Sequence, residues 1–201
     1  MFFGRKLVQS VVELYASVAY RLLDFVVVLS AVFIAIGIKK RGARIFFNTR
    51  YKLEGKDEHD YVSWSFTLLV FALFNYIDTA ITASIISLDT DYLLRRKLFY
   101  LSKVFFFLLL YLSLYALHAM RSCSFSATAR IAYYLGLIPI TLYMFQLISR
   151  GYYDVTLISS VYVKLMISIY ASLACVLYTY YPIKSMYKMR QNRSERINAK
   201  T

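Results

Sequence analysis

Asp78 is the side chain with the most chemistry to explain. It sits in the run FTLLVFALFNYIDTAITASII, residues 66–86, which is long enough to cross a bilayer and holds no other charged residue. Thr67, Asn75, Asp78 and Thr82 follow at intervals of 8, 3 and 4, so they share one face of a helix. In the last apolar run Lys164, Ser168, Ser172, Cys175 and Thr179 follow at 4, 4, 3 and 4, also on one face. Tyr111, Tyr115 and His118 form a third stripe, spaced 4 and 3.

A charged side chain at the bilayer centre costs roughly 2.5–3.5 kcal/mol on insertion scales. Three arrangements offset that cost for Asp78. The acid is protonated and bonded to Asn75, Thr82 or a neighbouring helix. It faces a water-filled pore or proton path. Or it pairs with a cation. Depth nominates Lys164 for the pair. Asp78 lies 14 residues past Trp64, about 21 Å along the helix. Lys164 lies 17 residues before Tyr181, about 26 Å. These depths are compatible, within one chain or between two. The competing fate of Lys164 is snorkelling to the nearer surface.

The elements that must hold these stripes are membrane spans. The chain has 201 residues, 60% of them hydrophobic, and a mean hydropathy of +0.54. Soluble domains are nearer half apolar. Apolar residues come in blocks at about 22–38, 64–88, 98–118, 131–148 and 157–181. The expected fold is an all-α polytopic transmembrane bundle of about five spans. The alternative is four spans plus an interfacial helix at the N-terminus. Residues 5–24 carry a helical apolar rhythm with an opposite stripe of Glu13, Ser17, Arg21 and Asp24, so residues 1–21 are expected to form an amphipathic helix. The bundle then occupies residues 22–182, and residues 183–201 form a basic tail. Pro182 is expected to end the last span and Pro139 to kink the fourth.

The net charge of +13 falls mostly between the apolar blocks. Loop 39–63 and the tail are strongly basic, and the short loop 119–130 adds Arg121 and Arg130. With five spans all three fall on one side, which the positive-inside rule makes the cytoplasm. Arg95, Arg96 and Lys97 oppose this, since they lie in an outward loop. A small multi-pass protein so arranged belongs in the inner (plasma) membrane with its C-terminus inside. His118 is expected at the interface and His59 in solvent. Cys123 and Cys175 fall near the reducing side, with neither disulfide nor metal spacing.

Tyrosine is unusually frequent, 20 residues. Many flank the spans as aromatic belts. Those inside, such as Tyr111 and Tyr143, need hydrogen-bond partners and favour packed helices. Ser168/Ser172 and Ala171/Cys175 form small-residue pairs suited to a helix–helix or subunit contact.

No hydrolase elbow, zinc-protease helix, phosphate loop or nucleotide fingerprint is present, so neither enzymatic activity nor a cofactor is expected. The leading functional expectation is a non-enzymatic membrane protein that self-assembles and recruits a cytoplasmic protein partner. Its docking face would be Lys39, Lys40, Arg41, Arg44, Lys184, Lys188, Arg190 and Arg193. Anionic lipid is the simplest ligand for such a face, and direct nucleic-acid binding is not expected. Membrane components of bacterial phage-defence and immunity systems share this build, by architecture alone. The alternative is an oligomeric ion or proton channel lined by Asn75, Asp78, Thr82 and the Lys164, Ser168, Ser172 stripe.

Overall fold

The computed structural model describes the backbone of residues 2–48 and 51–198, and the side chains of residues 6–48, 51–191 and 194–195. Six helices make up the fold: α1 (Phe2–Arg41), α2 (Arg44–Phe47), α3 (Lys56–Ile86), α4 (Tyr92–Arg121), α5 (Ala127–Gln146) and α6 (Ser160–Asn198). A π-helical turn, Leu147–Tyr152, extends α5. No strand occurs among the described residues. Five of the helices are long and apolar enough to cross a membrane.

Local chemistry sets the helix ends. Lys39, Lys40 and Arg41 close α1 where its dipole favours cations. Gly42 follows in the left-handed region, φ +84°, as helix C-termini prefer. Asp91 caps α4, its carboxylate accepting from the Leu93 and Leu94 amides. Ser126 caps α5 by accepting from the Ala129 amide.

From Phe2 on, the expected N-terminal helix and the first span are one unbroken helix, lying along α6 and parallel to it. Glu13 sits beside Lys164, and Phe33 packs on Tyr181. The buried face of α1 is Val12, Ala16, Ala19, Leu23, Val26, Ser30 and Ile34. That spacing is helical, so a single side of α1 meets the bundle. α1 is thus packed into the bundle and is one of the five helices long and apolar enough to cross a membrane. The small face of α6 is buried too, with Ser168 at 0%, Ala171 at 1% and Cys175 at 5% exposed. Ser172 on that face meets Tyr15 of α1, hydroxyl to hydroxyl at 2.8 Å. The helix–helix contact expected of the small residues is thus made within the chain.

Helix packing in a bilayer rests on close contact and interhelical hydrogen bonds rather than on the hydrophobic effect. Both concentrate at the end where α1, α4 and α6 finish and α3 and α5 begin. Trp64 stacks on Tyr181 at 5.1 Å and meets Phe33 edge-on at 5.7 Å. Tyr61 donates to the Ile34 carbonyl at 2.9 Å. It comes that close because residue 37 is glycine; a Cβ there would collide with the phenol. Between α4 and α5, Tyr111 and Tyr133 donate to each other's carbonyls, at 2.6 and 2.9 Å, with rings stacked at 4.9 Å. Gly136 makes room for the Tyr111 hydroxyl in the same way. Tyr61, Tyr111 and Tyr133 thus find their acceptors in backbone carbonyls, whereas no hydrogen bond engages the Tyr143 hydroxyl among the described residues.

Pro182 does not end the last span; α6 runs through it to Asn198. A proline in a helix frees the carbonyl four residues earlier, here Tyr178. The indole of Trp64 donates to that Tyr178 carbonyl at 3.2 Å. A side chain on α3 thus supplies the hydrogen bond that Pro182 cannot. Pro139 lies buried inside an α-helix that continues to Gln146, and the departure from α geometry comes later, in the π-helical turn.

Candidate functional site

A cavity of about 390 Å³ lies among α1, α3, α4, α5 and α6, in the half of the bundle away from Trp64. The Asp78 stripe opens onto it: Asn75, Asp78 and Thr82 line one wall. The cation that meets Asp78 is Lys103 of α4, a residue sequence reasoning missed. Its Nζ lies 2.5 Å from Asp78 Oδ2 and 2.6 Å from Thr82 Oγ1. Nζ also sits 5.3 Å from the Phe99 ring centroid. The Lys103 side chain is 9% exposed and that of Asp78 is 28%. Asp78 Oδ1 is buried with no hydrogen-bond partner.

Lys164 does not pair with Asp78. Its Nζ lies 3.7 Å from Glu13 Oε1, with both side chains about half exposed. Ser168 and Ser172 also stay out of the cavity, donating to the Lys164 and Ser168 carbonyls at 2.7 and 3.0 Å. The reason is helix order. α4 is the main neighbour of α3, and α6 turns its small, polar face to α1. The wall that α6 gives the cavity is Ile167, Tyr170 and Ala171. Arg21 and Asp24 form no ion pair, and Asp24 lines the cavity.

Lys103 was within reach of depth arithmetic. It lies 15 residues before His118, about 22 Å from the basic end, level with Asp78. A lysine five residues into an apolar run is the signal, and a tyrosine stripe on the same helix obscures it.

His118 is not interfacial. It is 1% exposed and stacks on Phe125 at 4.1 Å between ring centroids. Its Nδ1 faces the Leu114 carbonyl at 2.8 Å and must donate to it, which leaves Nε2 to accept from Ser63 Oγ, also at 2.8 Å. A serine against an imidazole can make a nucleophile and base. Here Ser63 is 0% exposed, and a backbone carbonyl stands where an orienting carboxylate would be. The pair locks α3 to α4, and through Ser126, 3.1 Å from Ser63, to the start of α5.

The expected basic face is gathered at this same end. Arg121, 5% exposed, donates from Nε to the Ile45 carbonyl at 2.8 Å and ties α4 to α2. The His59 imidazole is held by the Ser124 amide at 3.2 Å. Lys188 on α6 pairs with Asp57 of α3 at 2.5 Å. Arg41 lies over the Tyr61 ring and Lys184 over that of Tyr180. Lys39, Lys40, Arg44 and Arg190 are exposed. The side chain of Arg193 lies outside the described residues. Arg41, Lys184 and Lys188 line a second cavity of about 260 Å³, together with Asp57 and Asp60. Cys123 and Cys175 are free and buried. Burial pushes the Cys123 thiol up to about 11, against the pull of nearby Arg121.

At the opposite end the outlying cations are all engaged. Arg95 donates to the Leu88 carbonyl at 3.3 Å. Arg96 pairs with Asp154 at 2.5 Å, and Lys97 lies over the Tyr152 ring at 5.1 Å. Among the described residues no three His, Cys, Asp or Glu side chains gather as metal ligands. No family model, curated protein or solved structure matches the chain.

Proposed function

We propose that this chain is a non-enzymatic, multi-pass membrane protein that docks a cytoplasmic partner on its basic end. One observation carries the reading. Cations from residues far apart in sequence, at 39–44 and 184–190, converge on one end of the bundle. Among the described residues, Lys188 alone of that set is committed to an ion pair. The positive-inside rule turns this end toward the cytoplasm of a plasma or inner membrane. Anionic lipid headgroups and an acidic protein surface are the chemistries it suits. Self-assembly belongs to the same reading. With the small face of α6 covered by α1, a second copy would use another apolar face.

Reversing Lys184, Lys188 and Arg190 to Glu tests the proposal. Cytoplasmic proteins that co-purify with the wild-type chain should be lost, while the variant still elutes as a folded species. Unchanged co-purification contradicts it. The orientation has its own check: phosphatase fused after Thr201 should be inactive in the periplasmic assay.

The second reading, an oligomeric ion or proton path through Asp78, draws support from the charged cavity. The layer of Phe33, Trp64, Phe66, Tyr178 and Tyr181 between that cavity and the basic end counts against it. Conduction would need those rings to part.

A further inference from the structure

The cavity holding Asp78 is unlike its surroundings in charge, lining and access. Its acidic and basic side chains at bilayer depth, apart from tyrosines, are Asp24, Asp78 and Lys103. Two carboxylates against one ammonium leave one negative charge over. An uncompensated charge at that depth is costly. Lys103 is already committed to Asp78 and Thr82, and Asp24 has no ion-pair partner among the described residues. The rest of the wall is largely aromatic: Tyr20, Phe74, Phe106, Phe107, Tyr143 and Tyr170. Ring faces carry negative charge density and attract cations, substituted ammonium groups above all. The volume, about 390 Å³, falls within the roughly 300–1,000 Å³ of small-molecule sites. Tyr20 and Asp24 on α1, and Asn75 and Thr79 on α3, are exposed. The mouth therefore opens sideways between α1 and α3.

We propose that this cavity binds a monovalent, lipophilic organic cation, a substituted ammonium that enters between α1 and α3 from the bilayer. Asp24 supplies the free counter-charge. The Asp78–Lys103 pair forms the polar floor, and the rings enclose the apolar substituents. A bare metal cation would find no ligand cage here, since among the described residues no three His, Cys, Asp or Glu side chains gather as metal ligands. The inference does not depend on the basic end, so either can fail without the other.

The test is equilibrium binding of radiolabelled benzyltrimethylammonium to the full chain in nanodiscs, read against empty nanodiscs. Neopentylbenzene, its uncharged carbon isostere, is the control competitor. The expected result is saturable binding that neopentylbenzene does not displace. Asp24→Asn should weaken it at least tenfold. The double variant Asp78→Asn with Lys103→Met removes both charges of the floor together, and so avoids leaving either buried alone. It should retain binding through Asp24, with altered affinity. No saturable binding, equal displacement by neopentylbenzene, or unchanged affinity in Asp24→Asn in a chain that elutes as wild type would each overturn the proposal.

Discussion

The two halves of α3 lie in one helix and live in different surroundings. From Tyr61 to Leu68 every residue is buried. From Ala72 to Ile86 none is. The first half alternates rings with small hydroxyls, Tyr61, Ser63, Trp64, Ser65, Phe66 and Thr67, and neighbours close on it from α1, α4 and α6. The second half carries Asn75, Asp78, Thr79 and Thr82 and borders the cavity. One half is held by ring packing and hydrogen bonds to carbonyls. The other is held across a gap by a single ion pair. A helix bundle can therefore be tight at one end and host a polar chamber at the other, with no break in any helix.

Breaking the ion pair should have the largest effect. Asp78→Asn takes away the carboxylate bonded to the Lys103 ammonium, whose side chain is only 9% exposed. Removing one partner of a buried pair costs about 3–5 kcal/mol. Denaturant-induced unfolding in mixed micelles should show that loss. Trp64 is the only tryptophan, so its fluorescence reports the packed half. It should change at higher denaturant than hydrogen exchange around residues 75–86 if the halves are distinct.

Next comes the carbonyl that Pro182 frees. Trp64→Phe keeps much of the ring packing but strands the Tyr178 carbonyl, a loss of about 1–3 kcal/mol. In a Pro182→Ala background that carbonyl regains a helical partner, and the same substitution should cost clearly less. Equal costs in the two backgrounds would mean the indole hydrogen bond has nothing to do with the proline.

Gly37→Ala puts a methyl group where the Tyr61 hydroxyl lies. Overpacking of this kind costs about 1–3 kcal/mol. Pairing it with Tyr61→Phe should relieve part of the clash. The smallest effect is chemical. With its pKa raised to about 11 from the ordinary 9.0, Cys123 is almost all thiol at pH 8. Thiolate gains ground only as pH climbs toward 11. Alkylation of Cys123 at pH 8 should run roughly a hundredfold slower than for an ordinary thiol, from thiolate population alone, with no change in stability.

Much of this architecture was readable from residues. The apolar blocks define the spans, and the 8, 3, 4 spacing puts Asn75, Asp78 and Thr82 on the face that lines the cavity. Charge counts place residues 39–63 and the tail at one end. The partner of Asp78 was harder, because periodicity within a helix says nothing about which helix lies beside it. Depth admits both Lys164 and Lys103, and only the α3–α4 contact chooses. Pro182 misleads for a related reason. Its local cost is legible, and the indole that offsets it comes from 118 residues earlier in the chain. His118 looks interfacial by position, and it is buried because the loop residue Phe125 folds over it.

The most direct test of the two-halves account is a double-mutant cycle on Asp78 and Lys103, measured by unfolding in lipid nanodiscs. Asp78→Asn and Lys103→Met should each destabilise the chain strongly. Together they should recover most of the loss, giving a coupling energy above about 1 kcal/mol. Additive losses would contradict the account and leave Asp78 without the partner assigned to it.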